Sequence, residues 1–138
     1  AMITPNIEVP TALARAALPP QVPLKQMVSQ TAGVARLIDS IHRGDIYAMA
    51  AAMESDGVIE PAREHLMPLL AEMRSVAKAA GALGLVISGA GPTLCAICES
   101  EETARKAATA VHATYAVASI RSKAFVTRVA SDGAKVLS

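Results

Sequence analysis

Residues 83–98 have the sequence Leu83-Gly-Leu-Val-Ile-Ser88-Gly-Ala-Gly-Pro-Thr93-Leu-Cys-Ala-Ile-Cys98, and this stretch decides the fold. Its two aliphatic runs, 83–87 and 94–98, have the composition of short buried strands. Glycine and proline interrupt the pattern between the runs and turn the chain back. We therefore predict two buried strands that form a hairpin.

The turn of this hairpin has the features of an anion-binding loop. Gly89 and Gly91 can adopt a positive φ without a Cβ clash, so successive backbone N–H groups can converge and attract an anion such as phosphate. Two interpretations stay open: a phosphate-binding turn, and a tight turn whose glycines serve geometry alone. A Walker phosphate loop is excluded because no lysine follows the turn. The candidate phosphate-site residues are Ser88, Gly89, Ala90, Gly91, Pro92 and Thr93.

The composition indicates one small domain with an aliphatic core. The 138 residues are 52% hydrophobic but only 2% aromatic, and a chain of this length can bury a sizeable core. A net charge of +1 gives no broad attraction for nucleic acid. No apolar run approaches the ~18 residues of a membrane helix. We expect no nucleic-acid or membrane partner, and a cytoplasmic location, or a plastid if the source is a plant.

The cysteine and histidine residues give no sign of a metal or redox site. Cys95 and Cys98 have a C-x-x-C spacing, but within a strand their odd separation sends the two side chains to opposite faces. His42, His65 and His112 are scattered, without the spacing of metal ligands. We predict that both thiols are core residues and that the chain has no metal site.

The rest of the chain predicts helices around the strands. A strand begins near Ile3 and another falls within 119–130, with a segment at 134–137 that continues it or pairs with it. Helices are predicted over 12–18, 24–43, 46–53, 66–80 and from 101 onward. This order fits an α+β fold, a ferredoxin-like two-layer sandwich whose antiparallel sheet has helices packed on one face.

Local signals mark the ends of these helices. Thr11, Asp45 and Ser100 stand where N-terminal caps belong, and Gly44 stands where α-helix 24–43 should stop. Residues 58–63 contain a proline and are predicted to be irregular.

Three segments together resemble one enzyme family. Residues 84–93 resemble the third motif of the small-molecule kinases that include galactokinase, homoserine kinase, mevalonate kinase and phosphomevalonate kinase. Residues 10–19, Pro-Thr-Ala-Leu-Ala-Arg-Ala-Ala-Leu-Pro, resemble the T-x-x-x-R-x-x-L-P segment of homoserine kinases. Residues 55–63, Ser-Asp-Gly-Val-Ile-Glu-Pro-Ala-Arg, resemble their S-D-x-x-x-E-P-x-R segment. Residues 1–138 are therefore similar to a single C-terminal domain of that family.

The resemblance implies a reaction and a set of site residues. Homoserine kinases use ATP and Mg²⁺ to phosphorylate the side-chain hydroxyl of L-homoserine, which gives O-phosphohomoserine on the route to threonine. By this likeness Arg15 and Arg63 hold the substrate carboxylate, because a guanidinium can grip a planar carboxylate with two parallel hydrogen bonds. Thr11 would contact the amino acid beside them, and the glycine turn would support the phosphate loop.

The resemblance also implies what the chain lacks. The ATP-wrapping loop of these kinases lies in an N-terminal domain without a counterpart in residues 1–138. We therefore expect no catalytic residue in the chain, no tightly bound ATP or Mg²⁺, and no turnover by the chain alone. Surface that would meet the missing domain should be apolar and exposed, so we expect self-association, including a homodimer.

Two alternatives remain open. One is a stand-alone ferredoxin-like module that binds a small amino acid or serves assembly without catalysis. The other is a kinase of the same superfamily with another substrate, such as mevalonate or a sugar.

Overall fold

The structure is a computed structural model that describes residues 1–130, 132–134 and 136. Its strands are β1 (Met2–Pro5), β2 (Gly84–Ile87), β3 (Leu94–Ile97) and β4 (Ser122–Phe125). Its α-helices are α1 (Thr11–Ala16), α2 (Leu24–Arg43), α3 (Ile46–Met53), α4 (Ile59–Arg63), α5 (Leu70–Ala79) and α6 (Glu101–Val117), and a 3₁₀ turn (Glu64–Leu66) follows α4.

The four strands form one antiparallel sheet in the order β2-β3-β1-β4. Met2 of β1 pairs with Cys95 of β3 on one side and with Phe125 of β4 on the other. β1 and β3 are therefore central, and β2 and β4 are edge strands. Helices precede and follow the β2-β3 hairpin, as in the ferredoxin-like arrangement. The predicted α+β fold is confirmed.

The core lies between one face of the sheet and helices α5 and α6. Alternate strand residues point into it, as strand geometry requires, and Ile3, Leu85 and Leu94 are fully buried. Helix α6 begins at Ser100, whose side chain forms the predicted cap through a reciprocal capping box with Thr103. One apolar face of α6 is buried: Ala104, Ala107, Ala108, Val111 and Tyr115.

Helices α2 and α3 form a hairpin beside the edge strand β2. Gly44 ends α2 with a φ of 65°, and Asp45 caps α3 by accepting the N–H of Ala48 at 2.9 Å. Both features match the sequence prediction. Helix α3 lies against β2 at Gly84, where an added Cβ would stand 3.1 Å from the Glu54 carboxyl carbon.

Helix α2 is amphipathic, and its apolar stripe faces away from the domain. The helix packs on α3, and the residues it buries are the small Gly33 and Ser40. Small side chains allow the two helices to approach closely, so the larger aliphatic ones remain outside. These exposed side chains are Leu24, Met27, Val28, Val34, Ile38 and Ile41, each at least 51% exposed.

Two segments after α3 differ from the sequence prediction. Residues 59–63 form helix α4 rather than an irregular segment, because Pro61 falls in the first turn, where a helical N–H has no backbone acceptor in any case. Helix α5 begins at Leu70 and not near residue 66, because Met67 is extended before Pro68 and Leu69 has a φ of 60°.

The two ends of the chain also differ in detail. Thr11 is the first residue of α1 and not its cap, because the Pro10 carbonyl already accepts the N–H of Ala14 at 3.0 Å. Strand β4 covers only four residues of the predicted 119–130. The predicted segment 134–137 includes positions 135 and 137, which lie outside the described residues. Among the described residues, none of the helices combines the length and apolarity needed to cross a bilayer.

Candidate substrate site at the glycine turn

Arg63 joins the three segments that the sequence singled out. The side chain lies at the end of α4, where its Nε donates to the Ala14 carbonyl of α1 at 3.0 Å. Its Nη1 donates to the Gly89 carbonyl of the glycine turn at 3.2 Å. Because a guanidinium donates in a fixed planar fork, these two bonds hold α1 in a defined position beside the turn.

The glycine turn has the predicted backbone. Gly89 and Gly91 have φ values of 63° and 83°, the left-handed region that favours glycine. The turn is closed by hydrogen bonds from Ser88 N–H to the Thr93 carbonyl at 2.8 Å and from Gly91 N–H to the Ser88 carbonyl at 3.1 Å. In the described part of the chain, no hydrogen bond uses the N–H of Gly89 or Ala90. These two donors can therefore meet an anion.

The two sides of the turn differ in how closely the domain packs on them. A Cβ at Gly91 would stand 2.9 Å from the sulfur of the buried Met67, whereas a Cβ at Gly89 would meet nothing within 4 Å. The Thr93 hydroxyl bonds to the Thr4 hydroxyl of β1 at 2.9 Å. The Gly91 side is thus fixed by the domain, while the Gly89 side is open to a ligand.

Thr11 and Arg15 are both exposed on α1. A spacing of four residues places them on the same helix face. Arg15 makes no hydrogen bond and no ion pair among the described residues, so its guanidinium is available to a ligand. The bond from Arg63 to Ala14 holds this helix at the turn one residue before Arg15.

Asp56 organises the start of α4 and therefore the position of Arg63. Its carboxylate accepts the backbone N–H groups of residues 58–60, each at 2.9 Å, and the Gln30 side-chain amide at 2.6 Å. Partial burial raises the pKa of this carboxyl, but the four hydrogen bonds stabilise the charged form and bring the pKa below its ordinary value. The acidic residue of the S-D segment is thus the N-terminal anchor of α4.

Two carboxylates and one arginine occupy the free edge of β2. Glu54 accepts the Leu85 N–H at 2.9 Å, and Glu60 accepts the Ile87 N–H at 3.2 Å. Arg74 of α5 donates to the Leu85 carbonyl at 3.1 Å and to the Glu60 carboxylate, and its Nε lies 3.4 Å from Glu54. These side chains bond to backbone N–H and C=O groups of β2, which an uncovered edge strand would offer to another chain.

Sequence reasoning missed this group of charges. Glu54 directly follows α3, Arg74 lies on α5, and neither belongs to the three segments. The feature of the sequence that could have indicated this group is the spacing of Glu60 and Arg63, which lie three residues apart on one short helix. That helix sends its carboxylate to β2 and its guanidinium to the turn that follows β2.

The cysteines lie apart from this site. Both are free, and Cys98 packs against the core as predicted. The prediction is wrong for Cys95, because strand alternation points its side chain to the other face of the sheet. Burial raises the pKa of the Cys98 thiol, which disfavours the reactive thiolate. Within the described residues, no three His, Cys, Asp or Glu side chains are grouped so that they could hold a metal ion.

The assembled geometry suits a small anionic ligand. It offers the exposed guanidinium of Arg15, the partly engaged guanidinium of Arg63, and the N–H groups of Gly89 and Ala90. Carboxylates and phosphates both bind to groups of these kinds. Phosphoryl transfer depends chiefly on positioning and charge neutralisation, which such groups supply.

Comparisons with known proteins point to a single family. The family model described as GHMP kinases C terminal matches residues 37–117, more than half of the chain. A homoserine kinase from Arabidopsis thaliana is 34% identical over 137 residues, which cover 99% of this chain and 37% of that protein. A homoserine kinase from Pyrococcus horikoshii is 40% identical over 99 residues, which cover 72% of this chain and 33% of that protein.

A solved structure agrees in fold. The crystal structure of homoserine kinase from Cytophaga hutchinsonii matches with a TM-score of 0.88 and 36% identity, over 93% of this chain and 40% of that chain. The present chain thus spans about two fifths of the length of its relatives, 37% of the Arabidopsis protein and 43% of one from Chlorobium phaeovibrioides. The match of the family model over residues 37–117, together with these relatives, shows that the chain belongs to the family of GHMP kinase C-terminal domains.

Proposed function

We propose that the chain is the C-terminal domain of a homoserine kinase. The full-length protein would transfer the γ-phosphoryl group of ATP to the side-chain hydroxyl of L-homoserine and give O-phosphohomoserine. The observation that carries the proposal is the convergence at Arg63 of the three segments that resemble homoserine kinases. The relatives named homoserine kinase support it because one of them matches 99% of this chain.

Arg15 is the residue best placed to bind the substrate carboxylate, because its guanidinium is exposed and has no partner among the described residues. Thr11 on the same face of α1 would contact the amino acid. Arg63 has Nε and Nη1 committed to backbone carbonyls. It therefore acts mainly by positioning α1 against the turn, and its remaining N–H groups would contact the substrate.

ATP fits this arrangement in part. The N–H groups of Gly89 and Ala90 suit a phosphate oxygen, so the turn would face the phosphates. Mg²⁺ does not fit the described residues, because they contain no suitable group of ligands. The metal ligands and the ATP-binding domain would belong to the rest of the full-length protein, which works in the cytoplasm, or in a plastid in a plant.

The carboxylate role of Arg15 can be tested with a substrate that lacks the carboxylate. In the full-length enzyme, Arg15→Ala should lower kcat/KM for L-homoserine at least tenfold and leave kcat/KM for 3-aminopropanol almost unchanged, because only homoserine has the group that Arg15 would bind. Arg105→Ala is the matched control, since Arg105 is an exposed arginine paired with Glu101 on α6. Equal losses for both substrates, or no loss for either, would contradict the assignment.

The isolated chain distinguishes a kinase domain from a stand-alone binding module. We expect homoserine-dependent ADP formation by the full-length protein and none by the 138-residue chain. ADP formation by the chain alone would refute the proposal that ATP is bound by the rest of the full-length protein. A full-length protein that binds homoserine in calorimetry without phosphorylating it would instead favour the binding module.

A further inference from the structure

Helix α4 is held on the domain mainly by polar contacts. None of its five residues is buried. Asp56 fixes the beginning of the helix, and Arg63 at its end bonds to two backbone carbonyls. Between these ends, Glu60 accepts the Ile87 N–H at 3.2 Å. Because α4 has no buried face, these side chains set its position and therefore the position of Arg63.

Arg74 connects Glu60 to the core of the domain. It lies on α5 directly after Met73, which is fully buried, and α5 packs on β2. The stem of Arg74 therefore starts from a fixed point. Its Nη2 donates to the Glu60 carboxylate, and its Nε donates to the Leu85 carbonyl of β2 at 3.1 Å. Because the guanidinium is planar and rigid, these bonds hold Glu60 at one place beside β2.

We propose that Arg74 is a positioning residue for the substrate site, although it forms no hydrogen bond with α1 or the glycine turn in the described part of the chain. It acts through Glu60, which fixes the middle of α4. The end of α4 carries Arg63, which holds α1 against the turn, and α1 carries Arg15. The inference rests on the proposed function, in which Arg15 binds the substrate carboxylate.

Glu60 is the side chain that should move when Arg74 is removed. The side chains of Glu54 and Glu60 are each only 15% exposed, and both contact the Arg74 guanidinium. Loss of this cation would leave two like charges near each other and partly out of water. Glu54 would keep the Lys78 ammonium and a backbone N–H of β2. Of its partners among the described residues, Glu60 would keep a single backbone N–H. Glu60 should therefore turn toward water and release the middle of α4.

Arg74→Met in the full-length enzyme tests this inference, because methionine keeps an unbranched apolar stem and carries no charge. The value of kcat/KM for L-homoserine should fall about fivefold, since displacement of α1 misplaces the group that binds the carboxylate. The value for 3-aminopropanol, which has no carboxylate, should change by less than about twofold. A general loss of folded enzyme would lower both values equally, and that result would overturn the inference.

Lys78→Met is the matched control. Lys78 lies one turn further along α5, is 45% exposed and pairs with Glu54 rather than with Glu60. Its replacement removes a positive charge from the same cluster and leaves the contacts of α4 in place. The value of kcat/KM for L-homoserine should therefore change by less than about twofold. Equal losses for Lys78→Met and Arg74→Met would refute the route through Glu60.

The Arg15→Ala background tests whether the effect passes through Arg15. There Arg74→Met should lower kcat/KM for L-homoserine by less than about twofold, because two changes that act through one side chain are not additive. A further loss of about fivefold in this background would mean that the two residues act independently. That result would contradict the proposed positioning role.

Hydrogen exchange of the full-length protein without substrate reports the same geometry independently of the reaction. Arg74→Met should speed exchange in peptides that contain the Ile87 N–H and in peptides from α1, because both segments lose a contact that restrains them. Arg63→Ala is the positive reference for α1, since it removes the bond to the Ala14 carbonyl. Unchanged exchange in both sets of peptides would overturn the inference. If the parent does not phosphorylate L-homoserine, the proposed function fails, and the exchange result still decides whether Arg74 positions α4.

Discussion

Replacement of Asp56 by asparagine should destabilise the domain by about 2 kcal/mol at pH 7. The carboxylate accepts four hydrogen bonds: Oδ1 takes those of Val58, Ile59 and Gln30, and Oδ2 takes that of Glu60. Asparagine keeps one carbonyl oxygen, which can still serve the first three donors. Its NH₂ group would face the Glu60 N–H, so two donors would oppose each other.

The magnitude follows from these contacts. A hydrogen bond to a charged acceptor contributes about 1.5–3 kcal/mol, and bonds that share one acceptor are not additive. The carboxylate of Asp56 is partly exposed, and water weakens its interactions. We therefore take the loss of the Oδ2 bond together with the charge as about 2 kcal/mol, which lies at the lower end of that range.

The destabilisation should depend on pH in a defined direction. Burial raises the pKa of Asp56, but its hydrogen bonds lower the pKa by more than burial raises it. The folded-state pKa therefore lies below the ordinary value of 3.8. A carboxyl with a lowered pKa stabilises the fold fully above its unfolded pKa, and this stabilisation is lost as the pH falls through the folded pKa. The difference between parent and Asp56→Asn should therefore be constant from pH 7 to about pH 5 and shrink below about pH 4.

Urea unfolding followed by far-ultraviolet circular dichroism measures this difference at each pH. Asp45→Asn is the matched control, because Asp45 also caps a helix but accepts a single backbone N–H, that of Ala48. Asparagine caps helices about as well as aspartate, so Asp45→Asn should lower the free energy of unfolding by less than about 0.5 kcal/mol. Equal losses for the two variants at pH 7, or a difference for Asp56→Asn that keeps its full size at pH 3, would refute the reasoning.

Three further changes probe other parts of the structure. Gly91→Ala should lower the free energy of unfolding in urea by about 3 kcal/mol, because positive φ strain of about 1–2 kcal/mol adds to a clash with Met67. Gly89→Ala is the control and should lose only the part that comes from strain. Tyr115→Phe should stabilise the fold by about 1 kcal/mol, because the Tyr115 hydroxyl is buried without a partner among the described residues and burial raises its pKa to about 12; a loss of stability would contradict this. Glu54→Ala should aggregate faster in light scattering than the parent, because it frees the Leu85 N–H on the edge strand; unchanged light scattering would contradict that role.

The sequence was sufficient for the elements that depend on local patterns. Gly44 and Asp45 set the junction of α2 and α3, Ser100 set the start of α6, and two aliphatic runs set the β2-β3 hairpin. Each of these signals acts within a few residues, so no tertiary contact was needed to interpret it.

A side-chain cap and the packing of α2 explain two of the differences from the sequence prediction. Pro61 predicted an irregular segment, but Asp56 satisfies the three N–H groups that a short helix leaves open, and α4 forms. The apolar stripe of α2 is exposed, because the side of that helix that packs on α3 is the one with Gly33 and Ser40. Periodicity shows that a stripe exists, but only packing shows what covers it.

The structure brings the three segments singled out by the sequence together, but it gives their two arginines different contacts. Arg15 and Arg63 appear equivalent in the sequence, since each is an arginine in a segment that resembles homoserine kinases. In the structure Arg15 is exposed and unpartnered among the described residues, whereas Arg63 binds the carbonyls of Ala14 and Gly89. Nothing in the sequence distinguishes the two, because the acceptors of Arg63 are backbone atoms of distant segments.

This difference decides how substitutions of the two arginines should be interpreted. Arg63→Ala would remove both bonds that hold α1 against the turn, so a loss of activity could come from displacement of Arg15 rather than from a lost substrate contact. Arg63→Lys keeps the charge but cannot reproduce two bonds in a fixed plane, so it would disturb the same geometry. Only a substitution at Arg15 removes a charge from the site without disturbing a contact among the described residues. The proposed carboxylate-binding role is therefore best tested at Arg15, whereas a substitution at Arg63 tests the position of α1 against the turn.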